Sequence, residues 1–277
     1  MTSTFTIGGD LEVNRLGYGA MQLPGPGVWG ESRDPEGALA VLRRAVELGV
    51  TLIDTADAYG PFIADQLIKE ALHPYAANLV IATKVGFTRQ GPGQWTAVGR
   101  PEYLRQQTEL SLRHLGLEQI DLMQLHRIDH KIPLSDQIGE LALLRQEGKL
   151  RHIGLSEVTV DEIEAACEFA PISSVQNRYN LTLRTSEQVL DHCTANTIAF
   201  IPYSPLAKGT LLTDNARVAR TAQEHGATRS QIALAWLLKR SPVTLPIPGT
   251  ASIPHLEDNL KAENITLTDA QFTALTA

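Results

Sequence analysis

Short apolar runs alternate with amphipathic stretches along nearly the whole chain, and this alternation restricts the possible folds more than any other feature. The runs lie at 16–21, 51–55, 79–85, 120–126, 152–156, 173–179, 198–204 and 243–247, which makes eight candidate strands. Helical patterns fall between them. Asp34-Pro35-Glu36 opens the first, with Asp34 placed to cap it and Pro35 at the first helical position. Leu42, Ala45, Val46 and Leu48 give that helix an apolar face. Similar patterns cover 62–72, 101–115, 134–146, 160–169, 186–196, 216–224 with 230–238, and 254–263. Gly49, Gly116, Gly148 and Gly226 fall just past helix ends, where a left-handed residue is wanted.

Parallel neighbours need a crossover between them, so strand-then-helix repeated eight times predicts an α/β fold with a covered parallel sheet. A closed (β/α)8 barrel is favoured and a doubly wound open sheet is the alternative. A β-hairpin of 5–7 and 11–13 around Gly8-Gly9-Asp10 precedes the alternation. The 277 residues suit one barrel, and no low-complexity linker divides them, so 1–277 is expected to be a single domain.

Charge and composition exclude several roles. The net charge is −7, and no run of Lys or Arg is dense enough to follow nucleic acid or an anionic membrane. The start, M-T-S-T-F-T-I, has no basic-then-apolar leader, and no apolar segment approaches 18 residues. A soluble, cytoplasmic protein is expected. Cys167 and Cys193 lie in helical stretches without CxxC spacing and read as buried structural thiols.

Two motifs mislead. Gly25-Pro-Gly27-Val-Trp-Gly30 matches G-x-G-x-x-G, but the dinucleotide fingerprint needs its last glycine inside a helix, and here the helix begins only after Asp34. His126 and His130 have i, i+4 spacing, yet they begin at a strand end and lack the Glu of H-E-x-x-H. No metal is expected.

The chemistry lies instead at strand ends. The stretch T-L-I-D-T-A-D-A-Y-G leaves the core through Asp54, Asp57 and Tyr59. Lys84 closes the third run and His126 the fourth. A lone Lys there could form a Schiff base, pair with a carboxylate or reach solvent along its stem. Strand ends two, three and four of a closed barrel lie side by side, so Asp54, Tyr59, Lys84 and His126 converge on one rim. Asp57 reads as a helix cap or turn residue. The long connections 22–33 and 86–100 are candidate substrate loops, with Trp29 and Trp95 as candidate substrate-binding walls.

In this order the chain resembles an aldo-keto reductase. D-T-A-D-A-Y-G is similar to that family's D-x-x-x-x-Y-G segment, I-A-T-K carries its lysine and L-M-Q-L-H its histidine. The likeness continues through Ile153-Gly-Leu-Ser156, Val175-Gln176, Ile201-Pro-Tyr203-Ser-Pro-Leu206, Ile247-Pro-Gly-Thr250 and His255-Leu-Glu-Asp-Asn259. The resemblance implies an NADPH-dependent oxidoreductase, with NADH as the alternative cofactor, that reduces a small aldehyde or ketone. Tyr59 would be the general acid, Lys84 its helper and Asp54 the partner that keeps Lys84 charged. A cation about 4 Å from the phenol is worth about 4 kcal/mol at an effective dielectric near 20, enough to lower its pKa by up to about three units. His126 would orient the carbonyl.

The same resemblance assigns Ser156 and Gln176 to the nicotinamide carboxamide, Tyr203 to the ring, and Ser204 and Leu206 to the pyrophosphate. Met21 and Asp54 also join the cofactor set, and Gly249, Thr250, His255 and Asn259 would surround the adenosine phosphate. Three departures stand out. Glu157 follows Ser156 where many members carry Asn; Gly249 and His255 stand where many carry Lys and Arg; and no long C-terminal loop follows the last predicted helix. Competing readings are a nucleotide-sensing interaction subunit on the same scaffold, and a barrel hydrolase using Asp54 and Asp57 or a Schiff-base lyase using Lys84.

Overall fold

The computed structural model describes residues 4–206 and 215–277. The chain opens with an antiparallel hairpin, β1 (Thr4–Ile7) and β2 (Leu11–Asn14). Seven strands then form one sheet in which every neighbouring pair is parallel. In chain order they are β3 (Tyr18–Gly19), β4 (Leu52–Asp54), β5 (Val80–Val85), β8 (Ile120–Leu125), β9 (Leu150–Ser156), β10 (Ile172–Gln176) and β11 (Ala199–Phe200). Helices α1 (Pro35–Glu47), α2 (Ile63–Leu72), α3 (Pro101–Leu115), α4 (Leu134–Gln146), α5 (Val160–Cys167) and α6 (Glu187–Ala195) make the crossovers. The chain finishes with α7 (Ala216–His225), α8 (Arg229–Arg240), α9 (Ile253–Leu260) and α10 (Asp269–Thr276).

The eighth expected strand, 243–247, is present as a segment but not as a regular strand. It meets β11 through one parallel bridge, Phe200 to Thr244, with Phe200 N–H donating to Val243 O at 2.9 Å and Leu245 N–H to Phe200 O at 2.8 Å. On its other side Gly17 N–H donates to Pro246 O at 2.9 Å, so the segment joins β11 to the first strand and closes the barrel. Pro246 and Pro248 have no N–H to give, which prevents a full ladder. The first and seventh strands are shorter than expected as well: residues 20–22 turn into a 3-10 helix, and Pro202 follows β11 closely.

The hairpin plugs the N-terminal end of the barrel. Ile7, Leu11 and Val13 cluster with Leu52, Val80, Leu122 and Ala199, which stand at or near the starts of their strands. The opposite, C-terminal rim is therefore left for chemistry. The expected loop 86–100 is itself largely a hairpin, β6 (Phe87–Gly91) and β7 (Gln94–Ala97), turning at Pro92-Gly93. The last helix, α10, went unread although Thr268 and Gln271 form a capping box; it docks where Trp236 stacks on Phe272 at 5.8 Å and donates to Thr276 Oγ1 at 2.9 Å. Of the two thiols, Cys193 is buried and Cys167, at the outer end of α5, is exposed, contrary to expectation. No described helix is long and apolar enough to cross a membrane.

Candidate active site

Asp54 ends β4 and Lys84 lies near the end of the adjacent β5, and neither side chain is more than 2% exposed. Lys84 Nζ donates to Asp54 Oδ2 at 2.5 Å, to Thr55 O at 2.8 Å and to Tyr59 Oη at 3.3 Å. Those three acceptors use all three ammonium hydrogens. An ammonium cannot accept, so the Tyr59 oxygen is the acceptor and its own proton is free to point elsewhere. The second Asp54 oxygen receives Gln176 Nε2 at 2.8 Å and Gln124 Nε2 at 3.1 Å.

The turn after β4 fixes Tyr59. Its N–H bonds to Ala56 O at 3.0 Å and its carbonyl receives Ala64 N–H of α2 at 3.1 Å. Gly60 has φ 112°, and a Cβ there would fall 2.4 Å from Ile63 Cβ, so only glycine permits this approach to the helix. Asp57 lies in this turn but does not cap α2, whose first residue is Ile63 and whose capping residue is Phe62. Its carboxyl group is buried without a side-chain hydrogen-bond partner, next to the equally buried Asp65 of α2, which accepts from Thr55 Oγ1 at 2.8 Å.

Burial opposes the Lys84 charge, yet the neighbouring Asp54 carboxylate and Tyr59 outweigh it and raise its pKa. Tyr59 shows the opposite balance. Burial raises its pKa more than the Lys84 cation lowers it, so the net depression expected from the cation alone does not appear. The phenol is held fully protonated. His126, 7% exposed, is pushed well below the ordinary histidine pKa by burial and by the Lys84, Arg127 and Arg89 charges, and is neutral near pH 7. Its ring meets Tyr59 at 6.1 Å, Phe87 at 4.6 Å and Trp95 at 6.1 Å, all edge to face.

Trp95 stands 6.4 Å from Tyr59, and Arg89 lies 3.6 Å over its ring and 5.6 Å from that of Trp29. The tryptophans of both expected substrate loops thus come to one wall. Arg89, Phe87, Gln124 and Arg127 belong to this neighbourhood and were not singled out from the sequence; an arginine directly after His126 was the available signal.

The residues expected to serve the cofactor follow the rim. Ser156 and Gln176 end β9 and β10 and are buried. Tyr203 bridges to Arg178, and burial, then the Glu157 carboxylate beside it, push its phenol up to about 12. Glu157 is left-handed at φ 57° and turns its Oε1 to Arg178 N–H at 2.6 Å. Ser204 is also left-handed, its carbonyl receiving Asn180 Nδ2 at 3.1 Å, and Leu206 packs against the core. Met21 is 45% exposed just after β3. Thr250 precedes α9 and is tied to β3 by Tyr18 Oη, which donates to its carbonyl at 2.6 Å. Asn259 is buried on α9 and His255 exposed. A Cβ on Gly249 would meet Gly19 O at 2.5 Å, so close approach to β3 explains the absence of a lysine there.

Comparison with known proteins agrees with this geometry. Residues 15–277 match the Aldo/keto reductase family. The chain belongs to that family. It is 49% identical over 267 residues to an uncharacterized oxidoreductase of Schizosaccharomyces pombe, covering 96% of this chain and 87% of the relative. It is 42% identical to the pyridoxine 4-dehydrogenase of Escherichia coli, covering 99% and 97%. A crystal structure of an aldo-keto reductase from Klebsiella pneumoniae in complex with NADPH superposes with a TM-score of 0.86 at 27% identity, covering 99% of this chain and 94% of that one. The closed (β/α)8 barrel read from the alternation is therefore the aldo/keto reductase fold, and the open-sheet alternative is set aside.

Proposed function

We propose that this aldo/keto reductase reduces a small aldehyde or ketone with NADPH, and that Tyr59 is the proton donor. The observation that carries the proposal is the buried Lys84 ammonium, held between the Asp54 carboxylate and the Tyr59 hydroxyl. The rim fits a nicotinamide nucleotide: Ser156 and Gln176 offer side-chain hydrogen bonds at adjacent strand ends, Tyr203 offers an aromatic face, and α9 turns its positive N-terminal end, behind Thr250 and Ser252, to the same rim.

Bound NADPH would supply hydride to the carbonyl carbon. Tyr59 then gives its proton to the carbonyl oxygen, and the phenolate left behind is stabilised by Lys84 until solvent returns a proton. Asp54 keeps Lys84 charged and directed at the phenol. His126, being neutral, donates a hydrogen bond that fixes the carbonyl oxygen near Tyr59. Because Lys84 is held as a triply engaged ammonium, it lacks the free amine that a Schiff base requires. The name of the Escherichia coli relative makes pyridoxal and pyridoxine the first aldehyde–alcohol pair to try on this chain.

The test pairs calorimetric titration with NADPH and NADH and a turnover assay on a panel of aldehydes that includes pyridoxal. Tight NADPH binding with NADPH-dependent aldehyde loss supports the proposal. Binding without turnover on any aldehyde would favour a nucleotide-sensing role, and binding of neither nucleotide would remove the proposal. A ratio near one would mean that exposed His255, without a lysine at 249, does not select the 2′-phosphate.

A further inference from the structure

Arg127 follows His126 directly, at the end of β8, and its side chain is half-buried. Its Nη1 donates to Ser156 Oγ at 3.1 Å and to the His126 carbonyl, and its guanidinium carbon stands 5.4 Å from the Phe87 ring centroid. That ring is in turn 4.6 Å from His126 and 5.4 Å from Trp95. The positive head thus lies beside the aromatic wall of the pocket, and its charge is felt by Tyr59, His126 and Tyr203.

Arg127 makes no ion pair, a lack it shares among the described residues with Arg15, Arg43, Arg145 and Arg217, but those four donate to carbonyls of residues outside the aromatic wall. Among the described residues, Arg240 pairs with Glu187 and Asp191, and Arg105 with Glu140 and Glu147. Arg89, though also without an acid, is satisfied by the carbonyls of five residues. Arg127 has one carbonyl and one hydroxyl. Glu157, the acid that follows Ser156, directs Oε1 to the Arg178 backbone, and the other nearby cation, Lys84, already has Asp54. A partly desolvated guanidinium with donors to spare is suited to an anion that arrives with a ligand.

We infer that Arg127 recognises an oxyanion which the substrate carries on the carbon next to the one bearing its carbonyl group, as in an aromatic aldehyde with an ortho phenolate. The inference rests on the carbonyl-reductase reading and narrows its substrate class. Arg127 and His126 both border the Phe87 ring, at 5.4 Å and 4.6 Å from its centroid, so a ring whose carbonyl oxygen sits at Tyr59 and His126 can turn an oxygen on its neighbouring carbon toward Arg127. Phe87 and Trp95 supply the apolar surface that a flat ring needs. The 3-hydroxypyridine-4-carbaldehyde unit of pyridoxal has this arrangement; pyridine-4-carbaldehyde has the aldehyde without the oxyanion.

The test measures kcat/KM for both aldehydes with NADPH in the wild type and in Arg127→Met, together with the NADPH Kd of each protein, which also reports that the variant is folded. The wild type should prefer pyridoxal by at least tenfold, and Arg127→Met should lose at least tenfold of that preference, mainly through KM, with the NADPH Kd changed less than twofold. Three results would overturn the inference: no wild-type preference for pyridoxal, a preference that survives in Arg127→Met, or an equal loss on both aldehydes accompanied by weakened NADPH binding, which would make Arg127 a cofactor residue acting beside Ser156. Turnover of pyridine-4-carbaldehyde by the wild type keeps the carbonyl-reductase reading standing in each of these cases. Turnover of neither aldehyde, nor of any other on the panel, would remove that reading and the inference together.

Discussion

Asp54 and Lys84 form an ion pair 2.5 Å long in the wall of the barrel, with side chains only 2% and 1% exposed. Two charges are kept from water there because each satisfies the other and because Thr55, Gln124 and Gln176 complete their hydrogen bonds. Such a pair contributes little net stability when intact but is costly to break from one side. Its position beside Tyr59 makes chemistry the better reason for its presence.

Asp54→Asn should therefore destabilise the protein by about 3–5 kcal/mol, since it leaves a buried ammonium without its counter-charge. The pKa of Lys84 would fall in the variant because burial would then act with less opposition. The intact pair's contribution is fully present below the unfolded lysine pKa and is lost as pH rises through the higher folded value. Urea melts should accordingly show the difference between the two proteins shrinking at high pH. Turnover should fall by about 10–100-fold, on the scale of a weakened proton donor. A wild-type pH–rate profile in the variant would contradict the role given to the pair.

Burial raises the Asp65 pKa to about 7, against the Thr55 hydrogen bond and the Lys84 charge, which lower it. Asp57, facing it, is raised well above the carboxylate range by burial and by the Asp65 charge. A carboxyl whose folded pKa exceeds its unfolded value near 3.9 costs stability as pH climbs from about 4 through its folded pKa. Asp65→Asn removes that cost. It should be more stable than wild type at pH 8 by on the order of 2 kcal/mol, with the advantage disappearing toward pH 4. Thermal melts across that range check both the sign and the window.

Arg89 ties three segments together: its guanidinium donates to the carbonyls of Gly27, Val28, Ala58, Gly91 and Gln94 while lying on Trp95. Ala58 immediately precedes Tyr59, so the clamp reaches the proposed acid through the backbone. Arg89→Met should cost about 2–4 kcal/mol of stability, as several hydrogen bonds to one charged group are lost. It should also raise the carbonyl KM by roughly tenfold through disordered pocket walls, with NADPH affinity preserved. Steady-state kinetics and a nucleotide titration separate these effects.

The chain advertised its barrel because a buried parallel strand must be nearly all apolar and its crossover helix must be amphipathic, and both patterns survive in single segments. Asp54, Tyr59, Lys84 and His126 were legible for a related reason: a titratable side chain ending an apolar run is conspicuous. The residues that escaped depend on long-range geometry. Arg89 reaches Val28 across 61 positions, and only the 87–97 hairpin, turned at Pro92-Gly93, makes that possible. Asp65 looks like an ordinary polar residue of an amphipathic helix, and nothing local reveals that α2 presses it against the turn carrying Asp57. The prolines around 243–247 reduced the eighth strand to a bridge, a case of missing donors outweighing an apolar run.

Tyr59→Phe separates the proposed proton donor from the rest of the site, because the change removes one oxygen and leaves the ring in place. Single-turnover oxidation of bound NADPH with an accepted aldehyde should slow by about 10²–10⁴-fold in the variant, while its NADPH affinity stays within about twofold of wild type. A variant that oxidises NADPH at close to the wild-type rate would contradict the account.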